Sequence, residues 1–281
     1  MRLRGGRYPQ LRWGERVPLL EPVEGGVRID LRELEFAEPT LALRLAASAA
    51  IHEEAEAPFE IVAPRRASVR NYLARTGLAE AMGLVPCDCG PDVLIPITQA
   101  TRSNEIDPLG EELQEMLKDE PPHVASVSGA VMSAFSELCD NACTHGRGQH
   151  GMFLLVQRLD SRLVLAVGDL GVGIPAHLGR SDRRLATLDD ANLIAEALRP
   201  GVTATHGPKR GKGLPDLLEE IRTAESPSSE LRIWSGEGRV IHRFPKNRRE
   251  VRVVGAHTRG TWAEVVLSLS GNDVSSGEAQ G

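Results

Sequence analysis

The chain has 281 residues, 41% of them apolar and 26% charged, enough to bury two modest cores with the balance of an ordinary soluble protein. A net charge of −6 argues against a dedicated nucleic-acid surface, and no run approaches the roughly 20 apolar residues of a membrane span. The opening MRLRGGRYPQ lacks the apolar stretch of a signal peptide, so the expected location is cytoplasmic.

The first segment alternates. A strand is predicted from Val27 to Leu31, a helix from Pro39 to Glu54, a strand from Phe59 to Val62 and a helix from Ala67 to Arg75. Pro39 at a helix start and Gly77 after a helix end are the expected punctuation. This βαβα order describes a small α/β unit over residues 1–84. The Pro/Gly/Asp-rich VPCDCGPD, residues 85–92, reads as the linker.

The second segment, residues 93–269, begins with a strand in DVLIPITQAT, followed by an acidic amphipathic helix from Leu109 to Lys118 and a longer one from Val124 to His145. GMFLLVQRLD and RLVLAVGD are two apolar strands joined at Asp160-Ser161. A long irregular stretch to Gly211 holds one helix, Asp189 to Leu198, and another helix covers Leu214 to Thr223. Strand pairs in ELRIWSGEGRVIH and EVRVVGAHTRGTWAEVVLSL close the fold. Residues 270–281, polar and Gly/Ser-rich, are expected to be a disordered tail.

One stretch, SELCDNACTHG, stands apart. At about 100° per residue, Glu137, Asp140, Asn141 and Thr144 share one narrow stripe of the helix, and Val131, Phe135, Leu138 and Ala142 share a separate apolar arc. A solvated face would explain such polarity, yet this stripe has no Lys or Arg. A carboxylate and an amide one turn apart also suit a water and a hard cation held side by side.

Three glycine-containing stretches flank that helix. AVGDLGVGIP places Asp169 at a strand end with Gly171 and Gly173 after it, where a carboxylate can accept from an exocyclic amine and a flat ring can approach bare backbone. A plain turn has the same pattern. RGKGLPDLLEEI sets Gly211 and Gly213 before a helix whose amide N–H groups suit phosphate, with Lys209, Arg210 and Lys212 beside them; it reads equally as a simple connection. TRGTWAEVVLSL puts Thr261 at the head of the last strand, either near a ligand or as an ordinary β-branched strand residue.

In order, E-x-x-x-N on a helix, D-x-G-x-G after two strands, G-x-G-L opening a helix and G-T before a last strand resemble the ATP-binding domain of the GHKL superfamily. That superfamily includes gyrase, a heat-shock chaperone, histidine kinases and mismatch-repair ATPases. The resemblance covers residues 93–269. It implies a two-layer α/β sandwich of the Bergerat type, a mixed sheet with helices on one face, binding ATP and Mg²⁺ beneath a mobile lid. By the same match, Glu137 would act on the attacking water and Asn141 would bind Mg²⁺. Asp169 would read adenine, with Gly171 and Gly173 bordering the base. Gly211 and Gly213 would give N–H groups to phosphate. ALRPGVTATHGPKRGKG would be the lid, its Lys209, Arg210 and Lys212 meeting phosphates, and Thr261 would reach the nucleotide.

IDLRELEFAEPTLALRLAASAA and FEIVAPRRASVRNYLARTGLAEAMG resemble a STAS domain, the fold of bacterial anti-sigma-factor antagonists. That family carries Asp-Ser-Ser/Ala-Gly before its first helix and phosphorylates a serine there. This chain has Glu38-Pro39-Thr40-Leu41 instead, leaving Thr40 as the hydroxyl at that place.

Ile51-His52-Glu53-Glu54 echoes a phosphoacceptor histidine, but the helix breaks at Ala57-Pro58 and lacks a partner helix, so a solvated His52 is expected. The four cysteines, Cys87, Cys89, Cys139 and Cys143, do not match common zinc spacing and are expected to be reduced structural thiols. Two functions follow from the resemblances: an enzyme that hydrolyses ATP or transfers its γ-phosphoryl to a protein Ser/Thr, and an ATP-gated protein-interaction switch with little turnover. Either expects a protein partner through the STAS-like unit or the lid.

Overall fold

Two β-sheets share one interior, joined by a helix of the first segment. The computed structural model describes residues 19–23, 26–81, 89–145, 150–182, 184–202 and 213–269. Residues 85–88 of the expected linker, the stretch 203–212 that carries Lys209, Arg210, Gly211 and Lys212, and the expected tail 270–281 lie outside them.

The first segment contains β1 (Leu19–Val23), β2 (Gly26–Asp30), α1 (Pro39–Glu54), β3 (Phe59–Val62), α2 (Ala67–Arg75) and a short α3 (Leu78–Ala81). The strand order is β1-β2-β3, with β1 antiparallel and β3 parallel to β2. A parallel pair needs a long crossover, and α1 supplies it. Pro39 occupies the first turn of α1, where its missing N–H has no intrahelical partner to lose. Gly77, at φ 84°, follows the last residues of α2 and ends it in the left-handed conformation.

The second segment contains β4 (Val93–Ala100), a 3-10 turn (Ser103–Glu105), α4 (Ile106–Lys118), α5 (Pro122–Ala125), α6 (Ser128–His145), β5 (Met152–Leu159), β6 (Arg162–Asp169), α7 (Gly173–Ser181), α8 (Asp190–Ala197), α9 (Gly213–Thr223), β7 (Ser229–Phe244) and β8 (Arg248–Ser268). Its strands follow the order β4-β5-β6-β8-β7, and every neighbouring pair is antiparallel. The expected mixed sheet is therefore corrected to an antiparallel one. β6 and β7 do run in the same direction, but β8 lies between them and pairs with both, so no parallel ladder forms. The expected helix from Val124 is two helices with a break near Ser126 and Val127. β1, α3 and α7 were not anticipated.

The helices of the second segment gather on one face of its sheet, and the first segment covers the other. Leu154, Leu165, Val265 and Ile233 pack on the side of α4, α6, α8 and α9, in one core with Phe135, Leu138, Ile194 and Leu217. Phe153, Leu155, Ala166, Trp234 and Trp262 point the other way and meet Leu43, Ala46 and Ala47 of α1. α1 lies against β4, β5, β6 and β8. With both faces covered, β5 and β6 are apolar at nearly every position, the pattern of a strand buried on two sides.

Polar contacts fix that docking. Glu264 on β8 is fully buried and accepts from Thr40 N at 2.9 Å and Thr40 Oγ1 at 2.8 Å. Its other oxygen accepts from Arg232 Nη1 at 3.0 Å. Arg44 lies 5.7 Å and 5.5 Å from the ring centres of Trp234 and Trp262, a cation–π pairing to both. Gln157 Nε2 donates to the Tyr72 hydroxyl at 2.8 Å. Cys139 and Cys143 are free thiols, as expected, whereas Cys89 is disulfide-bonded, a correction. His52 is half-buried, stacked on Phe59 with ring centres 5.2 Å apart and its Nδ1 2.7 Å from Ser48 O, rather than solvated.

Candidate functional site

The polar stripe of α6 faces the start of α9. Glu137 and Asn141 are half-buried, and Asn141 Nδ2 donates to Glu137 Oε1 across one helical turn. That bond leaves the amide carbonyl oxygen of Asn141 as an available acceptor. Gly213, the first residue of α9, lies directly against the Glu137 carboxylate, where a Cβ would overlap both carboxylate oxygens. Only glycine lets the amide backbone of a helix start come this close to a carboxylate. Burial, above all, raises the Glu137 carboxyl above its ordinary range, opposed by the Asn141 bond and reinforced by the nearby charges of Asp140 and Asp216. Asp140 and Thr144 of the stripe are exposed.

Asp169 ends β6 and is 5% exposed. Burial pushes its carboxyl up to about 6, although the N–H groups of Gly171 and Thr261 hold it down in part. The Gly171 N–H donates to Oδ1 at 2.7 Å. Thr261 is thus placed beside Asp169 through its backbone N–H, while its hydroxyl lies 3.4 Å from Ser235 Oγ.

Gly173, at φ 78°, begins α7 with no room for a Cβ, which would meet Ser235 Oγ and Gly260 O. Ser235 accepts from Ile174 N at 3.0 Å and donates to Gly260 O at 2.7 Å, tying α7 to β7 and β8 in one clasp. Arg259 Nε donates to Leu170 O at 3.0 Å, and the Trp262 indole N–H donates to Arg259 O at 3.0 Å. Sequence reasoning missed Ser235 and Arg259. Their only signal is position, opposite Thr261 and two residues before it, which register reveals and spacing does not.

The fold therefore brings Glu137, Asn141 and Gly213 together as one cluster, and Asp169, Gly171, Gly173 and Thr261 as another. Lys209, Arg210, Gly211 and Lys212 lie outside the described residues. Of the expected lid, Leu198 near its start is buried, at 4% exposed, while the stretch 203–212 lies outside the described residues. Among the described residues no group of three or more His, Cys, Asp or Glu side chains is placed to hold a metal ion, and no helix is long and apolar enough to cross a membrane.

Comparison with known proteins gives little more. No family model matches the chain, and no curated protein matches it. Among solved structures, it is similar to a chain of the SiaB-SiaC complex from Pseudomonas aeruginosa, at 20% identity over 63% of this chain and 91% of that one, with a TM-score of 0.33. So loose a likeness assigns no role. What the structure defines is an α/β protein with an antiparallel five-stranded sheet layered between helices.

Proposed function

We propose that this protein binds ATP with Mg²⁺ and acts as a regulatory protein, hydrolysing ATP or passing its γ-phosphoryl group to a protein Ser or Thr. The observation that carries this reading is the juxtaposition of Glu137, Asn141 and the Gly213 backbone at a helix start. A carboxylate, an amide oxygen and a bare helix N-terminus are what a water, a hard cation and a phosphate require side by side. Gly213 leaves no room for a side chain, whose Cβ would collide with the Glu137 carboxylate, so bare backbone is required there.

In this reading, Asn141 would offer its amide oxygen to Mg²⁺, which would supply charge neutralisation at the phosphates. Glu137 orients the attacking water and, with its raised pKa, accepts a proton more readily than an ordinary carboxylate does. Asp169, ionised above pH about 6, accepts from the adenine amino group. Thr261 lies beside it.

A second reading, an ATP-gated binding module with little turnover, keeps the same residues and differs only in rate. The extensive α1–sheet interface favours a role for the first segment as the regulated part of such a switch. Calorimetric titration with ATP, ADP and GTP, with and without Mg²⁺, tests the reading they share. The expected result is Mg²⁺-dependent binding of ATP, with GTP competing far more weakly; absence of binding overturns both. Phosphate release on the same preparation separates the two.

A further inference from the structure

The β7–β8 hairpin runs past the body of the sheet, and its far end is unlike the rest of the molecule. β8 pairs with β6 only from Trp262 to Ser268, while Arg248 to Val253 pair with β7 alone. Along this stretch the second edge of β8 has no strand beside it among the described residues. Unpaired edge amides and carbonyls are a template for one more strand.

Two further features mark this edge. Its charge is opposite to that of the whole chain, which carries −6. Lys246, Arg248, Arg249 and Arg252 are exposed here, and the nearest carboxylate, Glu250, is already held by Arg239 at 2.7 Å, Arg243 at 3.2 Å and Arg252 at 2.8 Å. It is also apolar where an edge is normally blunted. Val251 and Val253, on the strand face shared with Arg249, are 36% and 53% exposed, two of the few large apolar side chains open to solvent. Basic residues alone would read as protection against aggregation. Alternating valines on an open edge do the reverse.

We propose that the β8 edge from Arg248 to Val253 docks an acidic, extended segment of a partner protein, which adds a strand to the hairpin. Main-chain bonds to the open edge would supply affinity. Val251 and Val253 would take alternate apolar side chains, and Arg248 and Arg249 would select carboxylates. The arginines also decide against a second copy of this chain, since strand pairing of two such edges would set like charges opposite one another. The proposal does not rest on nucleotide binding.

The probe is a labelled short peptide alternating glutamate with valine and threonine, titrated by fluorescence anisotropy against the full chain at low and high salt. The expected result is saturable, salt-sensitive binding with slowed amide exchange confined to residues 248–253. The double variant Arg248→Glu, Arg249→Glu, at exposed positions, is expected to bind about tenfold or more weakly while keeping the wild-type unfolding transition. No binding, or affinity unchanged in that variant, overturns the proposal. Tighter binding of a thymidine oligonucleotide than of the peptide overturns it in favour of nucleic acid. Salt-sensitive self-association abolished by the double variant, without peptide binding, overturns it in favour of a second copy.

Discussion

Glu264 caps a helix far from it in the chain: its Oε1 accepts from both the backbone N–H and the hydroxyl of Thr40, 224 residues earlier in the first turn of α1. Glu38, the residue at the cap position, makes no side-chain bond to that turn. A strand carboxylate has therefore taken over the N-cap role and meets the positive end of the helix dipole. Its second oxygen neutralises Arg232, so one buried side chain ties the first segment to the sheet.

Removing Glu264 takes the cap from α1 and a buried carboxylate from Arg232, which still meets Glu230 at 2.9 Å. Glu264→Ala is expected to lower unfolding free energy by about 3–5 kcal/mol, and Thr40→Val by about 1–2 kcal/mol. Adding Arg232→Ala to Glu264→Ala should recover part of the loss. Denaturant titration of the four proteins checks this, and a loss under 1 kcal/mol for Glu264→Ala, on the order of a surface pair, would reject the role.

Gly213 and Glu137 make a pair testable without any nucleotide. Gly213→Ala should cost about 1–3 kcal/mol because its methyl group displaces the carboxylate. In a Glu137→Ala background the same change should cost little, since the obstruction is gone. Additive losses in thermal unfolding would mean that the two residues do not touch in solution.

On the proposed function, Glu137→Ala should bind ATP nearly as well as wild type yet lose about 10²–10⁴-fold in phosphate release. Asn141→Ala should instead weaken Mg·ATP binding by about tenfold, on the scale of one lost polar contact to a charged group. Equal Mg·ATP affinity in Asn141→Ala and wild type would remove Asn141 from the metal. A Glu137→Ala protein that no longer binds ATP would make Glu137 a support of the pocket rather than part of the chemistry.

Asp169 carries a pH signature of a definite sign. Its folded pKa, about 6, is above the ordinary 3.8, so the folded state keeps a proton that the unfolded chain has already released. The resulting stability is complete below pH about 4 and is lost as pH rises through about 6. Asp169→Asn, which cannot ionise, should therefore be more stable than wild type at about pH 8, by roughly 1–3 kcal/mol, with the gap narrowing towards about pH 5. Urea midpoints across that range give the answer; a gap that widens on acidification would contradict the burial. In the proposed function, ATP affinity of the wild type should fall over the same window as the acceptor is protonated.

Much of this was legible in the chain itself. Pro39, Gly77 and the runs of 3.6 and 2 periodicity fixed α1, β3, α2, β5, β6 and the body of α9 within a few residues, because caps and apolar spacing are local properties. The spacing of Glu137 and Asn141 placed them on one stripe for the same reason. α7 was missed because Gly173, Pro175 and Gly179 lower its helix propensity, and its stability comes from packing of Leu178 and the Ser235 clasp. The unbroken apolar runs MFLLV and LVLAV fit strands covered on both faces, a pattern that reads in the sequence only as two apolar strands.

Only the tertiary structure decided that α1 is the cover, that β8 inserts between β6 and β7, and that Gly213 meets Glu137. These depend on which distant surfaces are complementary once the chain has collapsed. Thr40 and Glu264 illustrate it: separately they are a helix-start hydroxyl and an acid in an apolar strand, and neither neighbourhood names the other. An acid at the centre of a strand buried on both sides requires a partner, since an unpaired buried charge costs several kcal/mol, on the order of 3–5. Sequence thus determined that Glu264 must be satisfied, and the fold determined by whom.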